Sequence, residues 1–215
     1  MERRYNAAVD FVERHVREGR GERLAYLDGF GRTTYGQLAD RTARVAGLLR
    51  TMGLQPEQRV VLCLHDTADF PAIFFGAIRA GVVPVPANTL LTAEDYAYLL
   101  GDSRARALFV SDALLARLEP ALGRLRPPPK VVVVRSPMGG PDGGHPRLEA
   151  LLPGAEPLGE PHPTTRDDVA FWLYSSGSTG TPKGAVHLQS HLRQTADLYA
   201  QGVLGVREDD LIFSA

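Results

Sequence analysis

Apolar positions between residues 34 and 135 follow two patterns that take turns along the chain. Segments with apolar residues at helical spacing cover 35–52, 68–80 and 114–125, and a further helix opens at Thr92. Short apolar runs typical of buried strands lie at 59–64, 82–86, 107–111 and 130–135. Strands that alternate with helices predict an α/β fold with a doubly wound, mostly parallel sheet and crossover helices.

Turn residues mark several boundaries in this block. Gly53 and Gly81 each follow a helical segment and are expected to end it. The prolines at 127–129 are expected to end the helix over 114–125. Ahead of the block, 24–27 and 32–35 flank Asp28-Gly29-Phe30-Gly31, which predicts a β-hairpin.

The composition changes between residues 136 and 166, where proline, glycine and polar residues dominate. Such a stretch is typical of a long surface connection, and we expect it to be partly disordered around the glycine-rich 138–144. The chain becomes strand-like again at 169–174 and helical from about 190 to 201. We therefore divide it into a first α/β block (1–135), a connection (136–166) and a last segment (167–215).

The sequence ends on the apolar, β-like run 211–215 without a cap, a turn or a polar tail. This ending predicts that the chain is a fragment of a longer protein. A sheet that is cut open in this way exposes an edge, and an open edge favours self-association.

Composition and charge limit the classes of partner that the chain is expected to bind. The chain has 215 residues, 44% of them hydrophobic and 23% charged, as expected for a globular protein with a real core. Because 24 basic and 25 acidic residues leave a net charge of −1, no global field favours nucleic acid or an anionic membrane. No signal peptide is visible, and no apolar stretch approaches the roughly 18 to 20 residues of a membrane span. The lone Cys63 cannot form an internal disulfide, which suits a cytoplasmic location.

The strongest chemical signal is the run Y-S-S-G-S-T-G-T-P-K-G at residues 174–184. Its glycines let backbone N–H groups converge on an anion, its hydroxyls donate hydrogen bonds, and Lys183 adds a positive charge. This combination predicts a loop that cradles the phosphates of a nucleoside triphosphate.

The run differs from the Walker A loop, G-x-x-x-x-G-K-[ST], in which the lysine follows glycine and opens a helix. Here Lys183 follows Pro182 and precedes Gly184. The next residues, 185–188, favour a strand rather than a helix, so we expect the loop to join two strands.

Taken as a whole, Y-S-S-G-S-T-G-x-P-K-G resembles the phosphate-binding signature of the adenylate-forming enzymes, which include the acyl-CoA synthetases, the adenylation domains of peptide synthetases and the luciferases. The resemblance continues upstream through A-I-R-A-G-V-V-P-V-P-A-N at 77–88. Runs at 88–92, 95–98, 171–176 and 203–210 are similar to the benzoate-CoA ligase branch. The chain would then be an incomplete N-terminal domain of the adenylate-forming fold.

The resemblance implies a reaction in two steps that uses Mg-ATP, a carboxylic acid and coenzyme A, with Mg²⁺ ligands mostly outside this chain. In the family, the lysine and the loop hydroxyls hold the β- and γ-phosphates and then the departing pyrophosphate. Carried onto this sequence, the catalytic role falls to Lys183 and Thr179. The same comparison implies this nucleotide-binding set: Ser175, Ser176, Gly177, Ser178, Thr179, Gly180, Thr181, Lys183 and Gly184.

One departure concerns the residues that follow the signature. Many members place a hydroxyl residue and a histidine at the fourth and fifth positions after its last glycine, whereas this chain has Leu188 and Gln189. His187 and His191 flank them, and either side chain is open as a substitute. The other four histidines lack partners at metal-ligand spacing, so no metal site is predicted.

Three functional hypotheses stay open at this point. The first is an aryl-CoA ligase acting on benzoate or a substituted benzoate, or a related adenylating enzyme for another acid. The second is a phosphoryl-transfer enzyme with an unusual phosphate loop. The third is a non-catalytic nucleotide-binding or interaction module.

Overall fold

The computed structural model of the protein describes residues 4–175 and 182–214. The chain begins with helical segment α1, which comprises Val9–Glu13 and Arg14–Arg17. The predicted hairpin follows as β1 (Leu24–Asp28) and β2 (Gly31–Thr34), paired antiparallel. Asp28 shapes the turn, because its Oδ1 accepts from the N–H of Phe30 at 2.8 Å and of Gly31 at 3.1 Å.

A four-stranded parallel sheet with strand order β4-β3-β5-β6 forms the centre of the fold. Its strands and helices, in chain order, are α2 (Tyr35–Thr51), β3 (Arg59–Cys63), α3 (Asp69–Arg79), β4 (Val83–Pro86), α4 (Ala93–Asp102), β5 (Ala107–Ser111), α5 (Asp112–Leu122) and β6 (Val131–Arg135). All of its strand pairs are parallel. The predicted parallel α/β sheet is therefore confirmed.

Side chains that alternate along the strands divide the core into two layers. Val60, Leu62 and Phe109 pack with buried residues of α2 and α3. Their neighbours Val61 and Leu108 point to the opposite face and pack with α4 and α5. Helices therefore cover both faces of the sheet, as the doubly wound prediction required.

Most predicted boundaries hold to within two residues. Gly53 and Gly81 end α2 and α3 with φ of 79° and 74°, a conformation that glycine adopts without strain. Thr92 caps α4, where its Oγ1 accepts from the Asp95 N–H at 3.2 Å. The prediction for α5 was wrong at its end: the helix runs through Pro120 and stops at Leu122, before the three prolines.

Both edges of the parallel sheet carry features that hinder further strand pairing. The N–H groups of Val83 in β4 and of Ala87 just after it point toward β3, and they donate at 2.8 Å to the carbonyls of Gln58 and Leu62. The intervening Pro84 and Pro86 face the outer edge and carry no N–H to donate. At the other edge, the Val134 N–H of β6 donates to the carbonyl of Pro146 at 2.9 Å.

Residues 136–166, expected to be partly disordered, are instead held by specific contacts. A short helix, α6 (Leu148–Leu151), places Leu148 in the core. The Leu158 N–H donates to the Ala43 carbonyl at 2.9 Å, and the Arg79 guanidinium donates to the Leu158 carbonyl at 2.8 Å. These partners lie in α2 and α3, so local composition did not reveal them. The division of the chain into three parts stays a prediction.

The last segment contains β7 (Val169–Ser175), β8 (Lys183–Leu188) and α7 (Gln189–Thr195), which continues as a helical stretch over Ala196–Gln201. The predicted strand and helix are thus confirmed. The β-like run over 211–215 is wrong for residues 211–214, which are not in a strand and expose their apolar side chains. Ser214 Oγ instead donates to Asp66 Oδ2 at 2.6 Å. Across the described parts of the chain, we find no helix both long enough and apolar enough to traverse a bilayer.

Candidate phosphate-binding site

The signature lies at the tip of an antiparallel hairpin. β7 and β8 pair so that Ser175 stands opposite Lys183 and Tyr174 opposite Gly184. The prediction that the loop joins two strands is confirmed by this pairing. The tip residues of the predicted nucleotide-binding set lie outside the described residues: Ser176, Gly177, Ser178, Thr179, Gly180 and Thr181.

The hairpin is fixed to the body of the fold through β7, which runs beside the outer edge of β4. Ala170 and Phe171 pack with the α2–α3 layer. Trp172 and Tyr174 pack against the α4–α5 layer. Because β7 contributes to both layers, the base of the loop stands on the rigid core, as a site that must orient a ligand requires.

The two polar residues at the base of the loop are open to solvent. Ser175 and Lys183 are both exposed. Within residues 4–175 and 182–214, no carboxylate lies within salt-bridge distance of the Lys183 ammonium. Among the described residues, an exposed ammonium without an ion pair at Lys183 and an exposed hydroxyl at Ser175 have the donor chemistry that suits a polyphosphate.

The small size of Gly184 matters because the ring of Tyr174 lies close to it. A Cβ placed on Gly184 would lie 3.1 Å from Cζ and 3.3 Å from Cε2 of Tyr174. The tyrosine ring therefore lies directly over the backbone of the returning strand. A side chain at this position would press on the Tyr174 ring.

The sequence predicted only core packing for Tyr174 and Trp172, and the packing is present. It did not predict that the Tyr174 hydroxyl donates to Asp102 Oδ2 at 2.5 Å. Burial, and then this hydrogen bond, raises the pKa of Tyr174 above its usual range. Since Asp102 lies 72 residues away in sequence, no local pattern marks the pair.

The residues after the signature have roles that the sequence left open. Gln189 is buried, and its Oε1 accepts from the Ala7 N–H at 2.8 Å, so this side chain ties α7 to the N-terminal segment. His191 Nδ1 accepts from the Leu188 N–H at 3.3 Å. His187 stacks on Phe171 with ring centroids 4.5 Å apart. Burial, and then proximity to His191, lowers the pKa of His187.

A second concave region lies away from the hairpin. A cleft of about 870 Å³ is bordered by the β1–β2 hairpin, α6 and the carboxyl end of β6. Its deepest charges pair with one another: Asp69 contacts Arg135 Nε at 2.6 Å and Arg41 at 3.0 Å. These three charged side chains are therefore paired within the fold. The described residues also contain no group of three or more His, Cys, Asp or Glu side chains that could hold a metal ion.

Together, a doubly wound parallel sheet and a hairpin tipped by a glycine- and hydroxyl-rich loop define an α/β nucleotide-binding domain of the adenylate-forming type. Residues 12–215 match the family described as AMP-binding enzyme, and the chain belongs to that family.

Curated relatives extend the match over the whole chain. The chain is 49% identical to the benzoate–CoA ligase of Thauera aromatica over 213 residues, which are 99% of this chain and 39% of that protein. It is 46% identical to the 4-hydroxybenzoate–CoA/benzoate–CoA ligase of Rhodopseudomonas palustris over 215 residues. The chain spans 39% of the length of both relatives.

Solved structures confirm the fold. A benzoate CoA ligase from Burkholderia xenovorans superimposes with a TM-score of 0.85 at 42% identity. An anthranilate CoA ligase in complex with anthranoyl-AMP superimposes with a TM-score of 0.89 at 33% identity. Each match covers 96% of this chain and 39% of the other. The predicted resemblance to the adenylate-forming enzymes, and to their benzoate-CoA ligase branch, is confirmed.

Proposed function

We propose that the whole protein is an ATP-dependent carboxylic acid–CoA ligase that forms an acyl-adenylate and then an acyl-CoA thioester. The observation that carries the proposal is the phosphate-binding signature at a hairpin tip, in a chain that is 49% identical to a benzoate–CoA ligase. The signature supports the binding of a nucleotide, and the names of the relatives support a carboxylic acid and coenzyme A as the other substrates.

In the first step the carboxylate oxygen attacks the α-phosphorus of ATP, and the bond to pyrophosphate breaks. Negative charge then grows on the leaving pyrophosphate. Lys183 and Thr179 are the groups that we assign to stabilising it, and Ser175 belongs to the hydrogen-bonding base of the loop. Donors oriented before the reaction stabilise such charge without reorganising, so the loop contributes electrostatic catalysis.

In the second step the thiol of coenzyme A attacks the acyl carbon, and AMP leaves. The adenylate makes this displacement feasible because AMP is a far better leaving group than hydroxide. Bound Mg²⁺ would supply charge neutralisation at the phosphates. The exposed Ser175 and Lys183 fit an anion, and we assign no Mg²⁺ ligand to the described residues.

Benzoate or a substituted benzoate is the acid that we propose. The support is that relatives sharing 46 to 49% identity act on benzoate or 4-hydroxybenzoate, while a solved structural relative acts on anthranilate. All three acids carry a carboxylate directly on an aromatic ring. An adenylating enzyme for another acid is the alternative that the same chemistry allows.

Small molecules are the partners that this function needs: the carboxylate, ATP and coenzyme A. A cytoplasmic location fits their supply, and the near-neutral charge of −1 gives no reason to invoke nucleic acid or a membrane surface.

Self-association through a sheet edge stays a prediction. Since prolines in β4 and the contact of β6 with Pro146 hinder pairing at the parallel sheet, we expect self-association at the exposed strand β8. A monodisperse monomer in light scattering would contradict this prediction.

Product analysis tests the proposed function against its rivals. The full-length protein is incubated with ATP, benzoate and coenzyme A, and the products are separated by chromatography. AMP, pyrophosphate and benzoyl-CoA support the ligase. ADP would support the phosphoryl-transfer hypothesis, and bound but unchanged ATP would support a non-catalytic module.

A further inference from the structure

The phenol of Tyr174 connects the base of the phosphate loop to the far end of α4. Its hydroxyl donates to Asp102 Oδ2 at 2.5 Å, and Asp102 is the last residue of α4. Tyr174 directly precedes Ser175, the first polar residue of the loop base. The hydrogen bond therefore joins the start of the loop to a helix of the main α/β layer.

Asp102 occupies a position that helix stability does not favour. The carboxyl end of a helix carries partial negative charge, so an acidic side chain there is electrostatically unfavourable. The last turn of α4 contains no basic residue to offset it. The hydrogen bond from Tyr174 gives this carboxylate a partner and accounts for its presence.

The same tyrosine also holds the strand that leaves the loop. Tyr174 and Gly184 are directly opposite in the β7–β8 ladder, and the ring lies over the glycine backbone. Gly184 follows Lys183, so one aromatic ring contacts both sides of the loop base. A shift of the ring would move Ser175 and Lys183 together.

A second set of contacts braces this ring from behind. Arg59 at the start of β3 donates through Nε to the Ser103 carbonyl, next to Asp102, at 2.6 Å. The guanidinium of Arg59 lies 5.4 Å from the centre of the Trp172 ring, two residues before Tyr174. Arg59 thus connects the end of α4 to Trp172, which lies on the same strand as Tyr174. The base of the hairpin is therefore attached to α4 by two routes.

We propose that Tyr174 and Asp102 form a positioning clamp that sets the separation and orientation of the two strands carrying the phosphate loop, and so determines how tightly the loop holds polyphosphate. The clamp rests on the proposed function. Tyr174 is a positioning residue, since it acts through Ser175, Lys183 and Gly184.

The test measures MgATP affinity by calorimetric titration of the full-length protein and its variants. Tyr174→Phe removes the hydroxyl and keeps the ring, and Asp102→Ala removes the acceptor. Asp102→Asn keeps a side-chain oxygen that accepts the same hydrogen bond. Tyr199→Phe is the control, because Tyr199 is exposed and its hydroxyl has no hydrogen bond to any residue that the structure describes.

Tyr174→Phe and Asp102→Ala are each expected to raise the Kd for MgATP about tenfold, and the double variant no further, because both break one contact. The Kd values of Asp102→Asn and Tyr199→Phe are expected to stay within about twofold of that of the unsubstituted protein. An unchanged Kd in Tyr174→Phe overturns the clamp. A double variant whose Kd rises about a hundredfold also overturns it, because independent effects add in free energy and so multiply in Kd.

Exchange of labelled pyrophosphate into ATP, measured on the same variants, separates the two proposals. If the clamp acts on the loop, its loss raises the KM for ATP and leaves the KM for the carboxylate unchanged. General destabilisation would instead lower the fraction of active enzyme and change neither KM. If affinity follows the clamp but no carboxylate supports exchange, the clamp stands and the ligase proposal fails. If exchange is present and identical in Tyr174→Phe, the ligase stands and the clamp fails.

Discussion

The rings of Phe171 and His187 lie face to face across the β7–β8 hairpin, with 5° between their planes. The stack holds the imidazole in a partly buried position where its charged form is disfavoured, and its pKa is lowered from the usual 6.5. The His191 ring approaches edge-on at 5.6 Å and adds to the effect.

This stack predicts a loss of stability in mild acid. Above pH 6.5 the imidazole is neutral in both the folded and the unfolded chain, so the stack contributes fully. As the pH falls through 6.5 the unfolded chain takes up the proton first, and the free energy of unfolding drops until the folded pKa is passed. His187→Phe keeps an aromatic ring and removes the proton site, so its free energy of unfolding is expected to depend less on pH.

Urea denaturation at pH values from about 5 to 8 measures this slope. Burial also lowers the pKa values of His15 and His162. The free energy of unfolding of His187→Phe is therefore expected to depend on pH to a smaller extent, not to become independent of it. Identical pH profiles for the two proteins would show that the stack does not influence the protonation of His187.

Gly184→Ala is expected to destabilise the hairpin by about 1 kcal/mol, because the new methyl group presses on the Tyr174 ring. Gly154→Ala is the control, since nothing lies within 4 Å of a Cβ at that position, and its cost is expected to stay within about 0.5 kcal/mol. Denaturation in urea measures both. In a Tyr174→Ala background the cost of the Gly184 substitution is expected to disappear, and an equal cost in both backgrounds would refute the contact.

Gly47→Ala tests the packing of residues 136–166 on α2. An alanine inside a helix is ordinarily stabilising relative to glycine, but here its Cβ would collide with the backbone carbonyl of Glu156. We expect a loss of about 2 kcal/mol and faster proteolysis within 136–166. Gly101→Ala in α4 is the matched control: its Cβ meets only an ordinary contact at 3.6 Å, so it is expected to be neutral or mildly stabilising. Equal effects at both glycines would mean that the segment is not packed as described.

The parts of the fold that could be predicted from sequence are those set by local rules. β5 at Ala107–Ser111 was predicted to the residue, because a short apolar run between polar residues is typical of a buried strand. Gly53 and Gly81 marked helix ends because they adopt a conformation that is strained for other residues.

The parts that could not be predicted depend on partners far away in the chain. Residues 136–166 have the composition of a flexible connection, yet the Ala43 carbonyl and the Arg79 guanidinium hold them in place. In the candidate site, the signature indicates Lys183 as a candidate ligand-binding residue, whereas nothing near Tyr174 in sequence indicates the hydrogen bond to Asp102. A local motif indicates candidate groups, and contacts between distant residues decide how those groups are held.

The most direct test of the central claim is benzoate-dependent exchange of labelled pyrophosphate into ATP, with Lys183→Ala beside it. The chain contains one other lysine, Lys130, which is exposed at the start of β6, so Lys130→Ala is a matched control. We predict exchange that depends on benzoate, falls on the order of a hundredfold in Lys183→Ala and is unchanged in Lys130→Ala. A folded full-length protein that shows no exchange with benzoate or any other carboxylate would contradict the account.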